Sequence, residues 1–468
     1  MKSILLTFLY TFFTFRSIEV IDSQAQCIHT EIRQLTFSSK NHELDNNDNF
    51  SYDDKLICYD TRGTYGSGIE NCFTIEIVEV SSGKEYLIYA PDKLRMGTQP
   101  APGIGAVSFH PAQYSVVFIH GPEIEDLSKI GIDIGGIYAK NNRRGLIVDF
   151  ELFNGKICNK VLSWVDYRFT DCKTGIPLGA HSGGTHRHEF SMDGLRIGCT
   201  YDDFLHTSYG RTIAFFEPFN NQLFNAKYYF SVILKPTPIE RAKLGDLVRA
   251  YGDSWINKNG TLRGFIGCVK VDRGFDDFLF LAEIPRNVDI KTAYPGDCEN
   301  YPTPPQNIRL FRMFDRWSSG IVRGSPDGQR LAFLAKDKKG KTQIFLVDIG
   351  NVEENRNKVT VFQLTNLEKG VEDNVRWHPS GSFVFSVSDG AIVAISVDKG
   401  ENFGKSFILS PIYKKNKPYG IAISRNGKYL AFNRRTPTYN SYGGRVFDSS
   451  GKDFSQIFIL SLPGELFK

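Results

Sequence analysis

The chain has 468 residues, enough for two or three ordinary domains or for one large repeat domain. Its 41% hydrophobic and 23% charged residues are ordinary for a globular protein, and its formal net charge of +4 is too small to favour nucleic acid as a partner. The 13% aromatic content suits a chain rich in β-strands.

The N-terminal stretch predicts a secretory signal over residues 1–25. Lys2 precedes an apolar run of about a dozen residues, which is too short to span a membrane. Ser23 and Ala25 occupy the two small-residue positions of a signal-peptidase site. An uncleaved anchor is the alternative, and Gln26 disfavours a lipid anchor on Cys27. No later segment is apolar enough to span a bilayer. We therefore expect a secreted, periplasmic protein that does not span the membrane.

The rest of the chain, residues 26–468, divides into units with the same pattern of short strands and polar turns. Their predicted bounds are 38–95, 103–165, 183–222, 226–313, 318–366, 371–412 and 418–466. A turn stands at the same place in six of them, with the sequences SYDDK, HPAQY, SMDGL, SPDGQ, HPSGS and SRNGK. Asp-Gly and Asn-Gly suit tight hairpins because both tolerate positive φ.

Repeats of this length, with about four strands each, predict an all-β protein with the fold of a seven-bladed β-propeller. The last unit has one strand too few, and the segment at residues 32–37 is predicted to supply it and so to close the ring. Helical spacing of apolar residues over residues 239–255 predicts a short inserted helix that carries Tyr251 and Trp255. A β-sandwich with a second domain is the alternative fold.

The eight cysteines of a secreted chain can form disulfides, and their spacing leaves several pairings open. Cys58 with Cys72, and Cys158 with Cys172, could bridge neighbouring strands. Cys27 with Cys298 is a further pairing. Buried free thiols are an equally good alternative.

The repeats resemble those of TolB-type propellers and of oligogalacturonate lyases. A closer resemblance is to a bacterial family of TolB-like propellers of unknown function, through QLTFSSKNHEL, HPAQYSVVFIHGPE, GGTHRHEFSMDGLRIGCTYDD and RWHPSGSFVFSV. The resemblance implies a seven-bladed propeller, a bacterial origin and work on the cell envelope or on carbohydrates. It implies no assigned reaction. The lyases bind a divalent metal through a His-rich set in the central cavity, and here His186-x-His188 is similar to part of such a set.

The strand that begins at Gly184 carries the side chains best suited to bind a metal ion or a ligand. His186 and His188 stand at i and i+2, so we expect both to face the central channel. With His181 on the glycine-rich approach as a third donor, they could hold one divalent ion such as Mn, Zn or Ca. Contact with a ligand without a metal, and a structural role, are the alternatives.

Two other residues are candidates for the same cavity. His42 lies where the first strand of the first unit approaches the channel and could act as a ligand or a base, although a loop histidine is the alternative. Arg62 ends a strand and could neutralise the carboxylate of a uronate, although a surface charge or an ion pair between blades is the alternative. His120 and Glu123 could shape the rim, while His110 and His378 are predicted to form turns.

Two functions compete. The first is a non-catalytic propeller that binds a glycan or an envelope protein at its channel, and we expect a monomer. The second is a metal-assisted polysaccharide lyase that acts on uronates. The sequence contains no GxSxG nucleophile motif, no phosphate-binding loop and no HExxH motif. The first function is therefore the better supported by the sequence.

Overall fold

The computed structural model describes residues 26–91, 95–96, 99–100, 103–122, 140–169, 171–221, 226–350 and 359–467. The predicted signal segment and Glu123 lie outside these residues. The described chain forms a seven-bladed β-propeller, as the repeats predict. None of the described residues forms a helix of the length and apolarity that a membrane crossing requires.

Each blade is an antiparallel sheet whose strands run in chain order from the inner strand outwards. Blade 1 contains strands Leu56–Asp60, Ile75–Glu79 and Glu85–Tyr89, with bridges from Glu43 and Phe50 on its inner side. Blade 2 contains Ile104–Phe109, Ser115–His120, Arg144–Phe153 and Lys156–Trp164. Blade 3 contains Gly184–Phe190, Ile197–Asp202, Thr212–Asn221 and Ala226–Val232. Blade 4 contains Leu247–Trp255, Leu262–Val271, Gly274–Glu283 and Arg309–Phe314.

The last three blades complete the ring. Blade 5 contains Ser318–Gly324, Arg330–Lys336, Thr342–Asp348 and Thr360–Gln363. Blade 6 contains Arg376–Trp377, Phe383–Ser388, Ala391–Ser396 and Ser406–Ile408. Blade 7 contains Tyr419–Ile423, Tyr429–Arg435 and Ser455–Ser461, and its outer strand is Ile32–Gln34 from the N-terminal segment. The predicted closure by the N-terminal strand is therefore confirmed.

Short elements connect the blades. Single turns of 3-10 helix span Ile69–Asn71, Lys140–Asn142, Cys172–Thr174, Ile239–Arg241 and Ile290–Thr292. Two small hairpins pair Arg95–Met96 with Gln99–Pro100 and Thr438–Tyr439 with Arg445–Val446. Strand Gln26–Cys27 lies parallel to the outer strand of blade 6. Apolar side chains of adjacent blades pack between the sheets and form the core.

Three expectations from the sequence are wrong. The predicted inserted helix at 239–255 contains only the turn Ile239–Arg241, because Leu247–Trp255 is the inner strand of blade 4. The segment Ala226–Val232 is the outer strand of blade 3 and does not begin the fourth unit. None of the candidate cysteine pairings forms, because Cys172 pairs with Cys298 across 126 positions. Cys58 and Cys72 are buried free thiols, as the alternative predicted.

Candidate functional site

The two channel histidines predicted on the inner strand of blade 3 do not face the same side. Arg187 between them has φ 54, and the pairing register shifts between His186 and Glu189. This bulge interrupts the alternation of side chains that a regular strand would give. His186 and His188 consequently have different surroundings, and the expectation of a shared channel face is wrong.

His186 lies next to a buried carboxylate at one end of blade 3. Its Nε2 is 3.2 Å from Asp202 Oδ2, and Arg211 Nε donates to the same oxygen at 2.7 Å. Burial and the charge of Arg211 lower the pKa of His186 to about 3, so the imidazole is neutral. Burial opposes ionisation of Asp202, but the adjacent His186 and the charge of Arg211 hold its pKa well below the usual range. A neutral histidine therefore sits beside an ionised aspartate.

His188 and His181 both lie between blades 2 and 3 and converge on Asp166. His188 Nε2 is 3.0 Å from Thr185 Oγ1, which in turn donates to Asp166 Oδ2 at 2.9 Å. His181 Nε2 is 3.1 Å from the same Asp166 oxygen, and Arg144 Nε donates to the other oxygen at 3.0 Å. All three acid and imidazole groups are fully buried. This network joins two blades and has no open face for a ligand.

The glycine pair before the histidines has a packing role. A Cβ at Gly183 would lie 2.2 Å from the carbonyl oxygen of Asp202, and one at Gly184 would lie 2.1 Å from that of Lys140. The glycines thus allow a close approach between backbones of the same protein.

His42 and Arg62 are also enclosed by the protein. His42 Nδ1 donates to the carbonyl oxygen of Ser455 at 3.0 Å, which ties the start of blade 1 to blade 7. Arg62 donates to both carboxylate oxygens of Asp60, at 2.7 and 2.8 Å, and lies 2.8 Å from Asp45. The structure therefore shows Arg62 in ion pairs within blade 1, and not between blades as the sequence alternative had it. His42 is buried against Tyr59.

The described residues contain no group of three His, Cys, Asp or Glu side chains that could hold a metal ion. His186 and His188, the two proposed ligands, point to different partners, and His181 adds no common point of convergence. Binding of Mn, Zn or Ca therefore stays a prediction from the sequence, for which the described residues supply no complete donor set.

A short segment of blade 1 reaches across the central channel. The side-chain amide of Asn46 donates to the carbonyl oxygens of Ala106 at 2.6 Å and of His188 at 3.2 Å, which belong to blades 2 and 3. The carbonyl oxygen of Asn46 accepts from Arg376 Nη2 of blade 6 at 3.2 Å. Because blades 3 and 6 are not neighbours, segment 45–48 lies within the channel.

Three arginines meet at this level of the channel, and we name them the axial arginine cluster. They are Arg187, Arg323 and Arg376, from the inner strands of blades 3, 5 and 6. Arg323 and Arg376 stand two residues before the turns that begin at Ser325 and His378. Arg323 and Arg376 thus occupy equivalent positions on their inner strands, which point to the same axis. Arg187, in the bulge of blade 3, lies close enough for its charge to act on both.

Arg323 is buried without a close partner. It is 7% exposed, its nearest recorded carboxylate oxygen is Glu189 Oε1 at 3.9 Å, and its Nε and Nη2 have no hydrogen-bond partner within the described parts of the chain. Burial and the charge of Arg376 hold the pKa of Arg323 well below its usual range. An arginine stays protonated in proteins, so Arg323 is a buried charge that its surroundings compensate poorly.

Arg376 is in a similar position on the neighbouring blade. It is 8% exposed, and its Nη atoms donate at 3.2 Å to the carbonyl oxygens of Val375 and Asn46. Its Nε has no hydrogen-bond partner among the residues described. Burial lowers the pKa of Arg376, and the charge of Arg187 adds to that shift.

Arg187 is the exposed member of the cluster. Its side chain is 36% exposed, and its Nη1 is 4.0 Å from Asp45 Oδ1. Asp45 is already bound more closely by Arg62, at 2.8 Å. The half-buried ring of Tyr65 lies within electrostatic range of Arg187, and its centroid is 5.1 Å from that of Tyr419.

Sequence reasoning missed this cluster although a signal was present. The pieces VRGSP at 322–326 and VRWHP at 375–379 place an arginine at the same distance before the turn. A side chain that recurs at one position of the inner strand must recur around the channel. The histidines stand out by residue type, whereas Arg323 and Arg376 are part of the repeat pattern of the inner strands.

Part of this region matches a known protein family. Residues 103–213 match the model of DUF3748, a family of proteins of unknown function. This stretch contains Arg187 and the three blade 3 histidines but ends before Arg323 and Arg376. The chain is also similar to the uncharacterized protein YidR of Escherichia coli K12, with 27% identity over 430 residues, 86% of this chain and 94% of that protein.

Solved structures with a similar fold include TolB from Acinetobacter baumannii, at 12% identity and a TM-score of 0.37. That match covers 76% of this chain and 66% of the TolB chain, just under two thirds of it. The β-propeller domain of the Trilobed protease from Pyrococcus furiosus matches at 9% identity and a TM-score of 0.46, covering 91% of this chain and 94% of that domain.

Proposed function

We propose that this propeller is a non-catalytic binding protein whose ligand is an acidic glycan, held at the central channel by Arg187. The observation that carries the proposal is the backbone conformation of this residue. Arg187 has φ 54, and Ala106 in the bulge of blade 2 has φ 55, whereas Gly252, Gly320 and Gly420 occupy the equivalent bulges of blades 4, 5 and 7 with φ 64, 77 and 60. Arg187 is therefore the one charged side chain among these five positions of positive φ. An L-residue in this conformation costs about 1–2 kcal/mol relative to glycine.

The contacts of the Arg187 side chain with the described protein do not offset the cost of this backbone conformation. It is exposed for about a third of its surface, and its nearest recorded acid is 4.0 Å away and already paired with Arg62. A strained residue whose side chain faces the channel is a marker of function. A guanidinium group binds a carboxylate through two parallel hydrogen bonds, which suits the carboxylate of a uronate.

An aromatic ring near Arg187 favours a sugar over a protein segment. Tyr65 lies within electrostatic range of Arg187, and its half-buried ring packs edge-on against that of Tyr419. A sugar ring packs its apolar face on an aromatic ring, while its acidic group reaches a nearby cation. The predicted secretory signal agrees with a glycan of the cell envelope as the ligand.

The test measures binding of acidic and neutral oligosaccharides by isothermal titration calorimetry. We expect a uronate-containing oligosaccharide to bind, its uncharged analogue to bind at least about tenfold more weakly, and Arg187→Gly to lose the same factor. Arg187→Gly should also raise the free energy of unfolding by about 1 kcal/mol, because it relieves the backbone strain.

The matched control is Ala106→Gly, which makes the same backbone change in the bulge of blade 2, where Ala106 has φ 55. It should stabilise the fold to a similar degree and leave glycan affinity unchanged. Wild-type affinity in Arg187→Gly would contradict the proposal. Ultraviolet absorbance from an unsaturated uronate, formed with the same oligosaccharides, would favour the lyase hypothesis instead.

A further inference from the structure

The two buried members of the axial arginine cluster need a separate explanation. Arg323 and Arg376 come from adjacent blades, both lie more than nine-tenths buried, and three of their N–H-bearing nitrogens have no hydrogen-bond partner among the described residues. An unpaired buried guanidinium is costly, and buried arginines are normally paired with a carboxylate.

The acids near the cluster are engaged elsewhere. Glu189 Oε2 accepts from Arg263 Nη1 and from the backbone nitrogen of Trp255, each at 3.2 Å. Asp48 lies 3.7 Å from Arg425 on blade 7.

Asp373 is likewise occupied by nearby donors. Its carboxylate accepts from the backbone nitrogen of Asn374 at 2.7 Å, and Ile421 N and the Tyr65 hydroxyl each lie 3.4 Å from it. The described carboxylates therefore leave Arg323 without a partner at hydrogen-bonding distance.

We propose that Arg323 and Arg376 form a buried site for a single oxyanion, a carboxylate or a phosphate group, with Arg187 at its open side. The unpaired Nε and Nη2 of Arg323 are the two donors of one guanidinium edge, which is the geometry that binds two oxygens of one anion. This site deepens the proposed function, because it rests on the same channel and names the group that the ligand would place deepest. It can also be tested with small anions alone.

A structural role for these arginines makes the opposite prediction for stability. If Arg323 held the ring together, its removal would destabilise the ligand-free protein. If the two arginines form an anion site, removal of Arg323 relieves the burial of its charge and the repulsion by Arg376, which together outweigh the attraction of Glu189 at 3.9 Å. Glu189 keeps its bonds to Arg263 and Trp255, so no acid is left unpaired. Binding sites commonly hold such unfavourable arrangements at the expense of stability.

The experiment follows thermal unfolding of the full mature chain with sodium acetate or sodium phosphate, against sodium chloride at equal ionic strength. We expect a saturable rise in the melting temperature of the wild type with at least one of the two oxyanions. The rise should be lost in Arg323→Gln and in Arg376→Gln, and the anion-free melting temperature of Arg323→Gln should equal or exceed that of the wild type. Any general stabilisation by phosphate would persist in both variants and is thereby subtracted.

The matched control is Arg312→Gln, on the outer strand of blade 4, which should keep the full anion response. If Arg323→Gln does not fold, Arg323→Lys keeps the charge but not the fork of donors, and should weaken the response at least fivefold. An acetate response alone assigns a carboxylate, and a phosphate response alone assigns a phosphate. No response to either anion, or equal responses in wild type and both glutamine variants, would overturn the site.

The two proposals can fail separately. Anion binding without glycan binding would retain the oxyanion site and refute the glycan. Glycan binding that depends on Arg187 but not on Arg323 or Arg376 would retain the proposed function and refute the buried site.

Discussion

Glu43, near the centre of the ring, has a carboxyl group whose pKa is changed by its surroundings. Its carboxyl group is fully buried, with Oε1 2.8 Å from the Tyr419 hydroxyl and Oε2 without a hydrogen-bond partner in the described chain. Burial raises the pKa of Glu43 to about 8, although the Tyr419 hydrogen bond and the charge of Arg62 oppose the rise. Asp60 and Asp45 add like charge nearby. The group is therefore protonated and neutral at neutral pH.

The raised pKa predicts a loss of stability as pH rises. Between the ordinary pKa and about 8, the folded state holds a proton that the unfolded state releases, so the free energy of unfolding falls with increasing pH. Glu43→Gln removes this proton linkage, and its stability relative to the wild type should grow by up to about 4 kcal/mol between pH ~5 and pH ~9. Urea unfolding at several pH values measures it. Glu465→Gln, at an exposed position, should change nothing, and parallel pH profiles for wild type and Glu43→Gln would refute the assignment.

At the scale of the strand, the sequence predicts the repeat but not its irregularities. Alternating apolar residues and Asp-Gly turns identify the sheets, because both patterns follow directly from strand geometry. The bulge at Arg187 could not be read in this way, since no glycine marks it as one does at Gly252 and Gly420. One residue in a left-handed conformation therefore turned His186 and His188 to different sides.

The error at 239–255 has a similar origin. Apolar residues at helical spacing also fit the inner strand of a blade, because a bulge adds one residue to the alternation. Tertiary packing between blades decided the structure, and the local pattern did not. The convergence of Arg187, Arg323 and Arg376 also depended on long-range closure, which no single repeat contains.

The disulfide connects two irregular segments that the repeats do not organise. Cys172 precedes blade 3, and Cys298 lies in the long connection within blade 4. That connection is also held by His206, whose Nε2 is 2.8 Å from the carbonyl oxygen of Asp297, and by Tyr209, which stacks on Tyr301. The covalent link therefore fixes a segment with few regular hydrogen bonds.

Removing this disulfide should lower stability substantially. Cys172→Ser with Cys298→Ser frees a long loop in the unfolded chain, and we expect a loss of about 2–5 kcal/mol in the free energy of unfolding. Chemical denaturation under non-reducing conditions measures the loss. Cys158→Ser, which changes a half-exposed free thiol, should stay within about 0.5 kcal/mol of the wild type. A double variant as stable as this control would show that the noncovalent contacts suffice.

For the whole molecule, the strand Ile32–Gln34 joins the two ends of the chain in blade 7. An open array of repeats unfolds by segments, since each repeat contacts only its neighbours. In the ring, Leu35 packs with Phe50 of blade 1 and with Ile457 and Ile459 of blade 7. Disrupting this junction should therefore affect the molecule beyond the two blades that meet there.

Leu35→Ala tests whether the closed ring unfolds as one unit. Leu35 is 1% exposed, so its truncation should cost about 2–5 kcal/mol, whereas Phe37→Ala, at a position 65% exposed, should cost less than about 0.5 kcal/mol. The four tryptophans, Trp164, Trp255, Trp317 and Trp377, all lie outside blades 1 and 7. If closure couples the ring, Leu35→Ala shifts the midpoint of tryptophan fluorescence and that of circular dichroism equally. If the fluorescence midpoint stays at the wild-type value while part of the circular dichroism signal is lost earlier, the blades unfold separately and the terminal strand stabilises only its own junction.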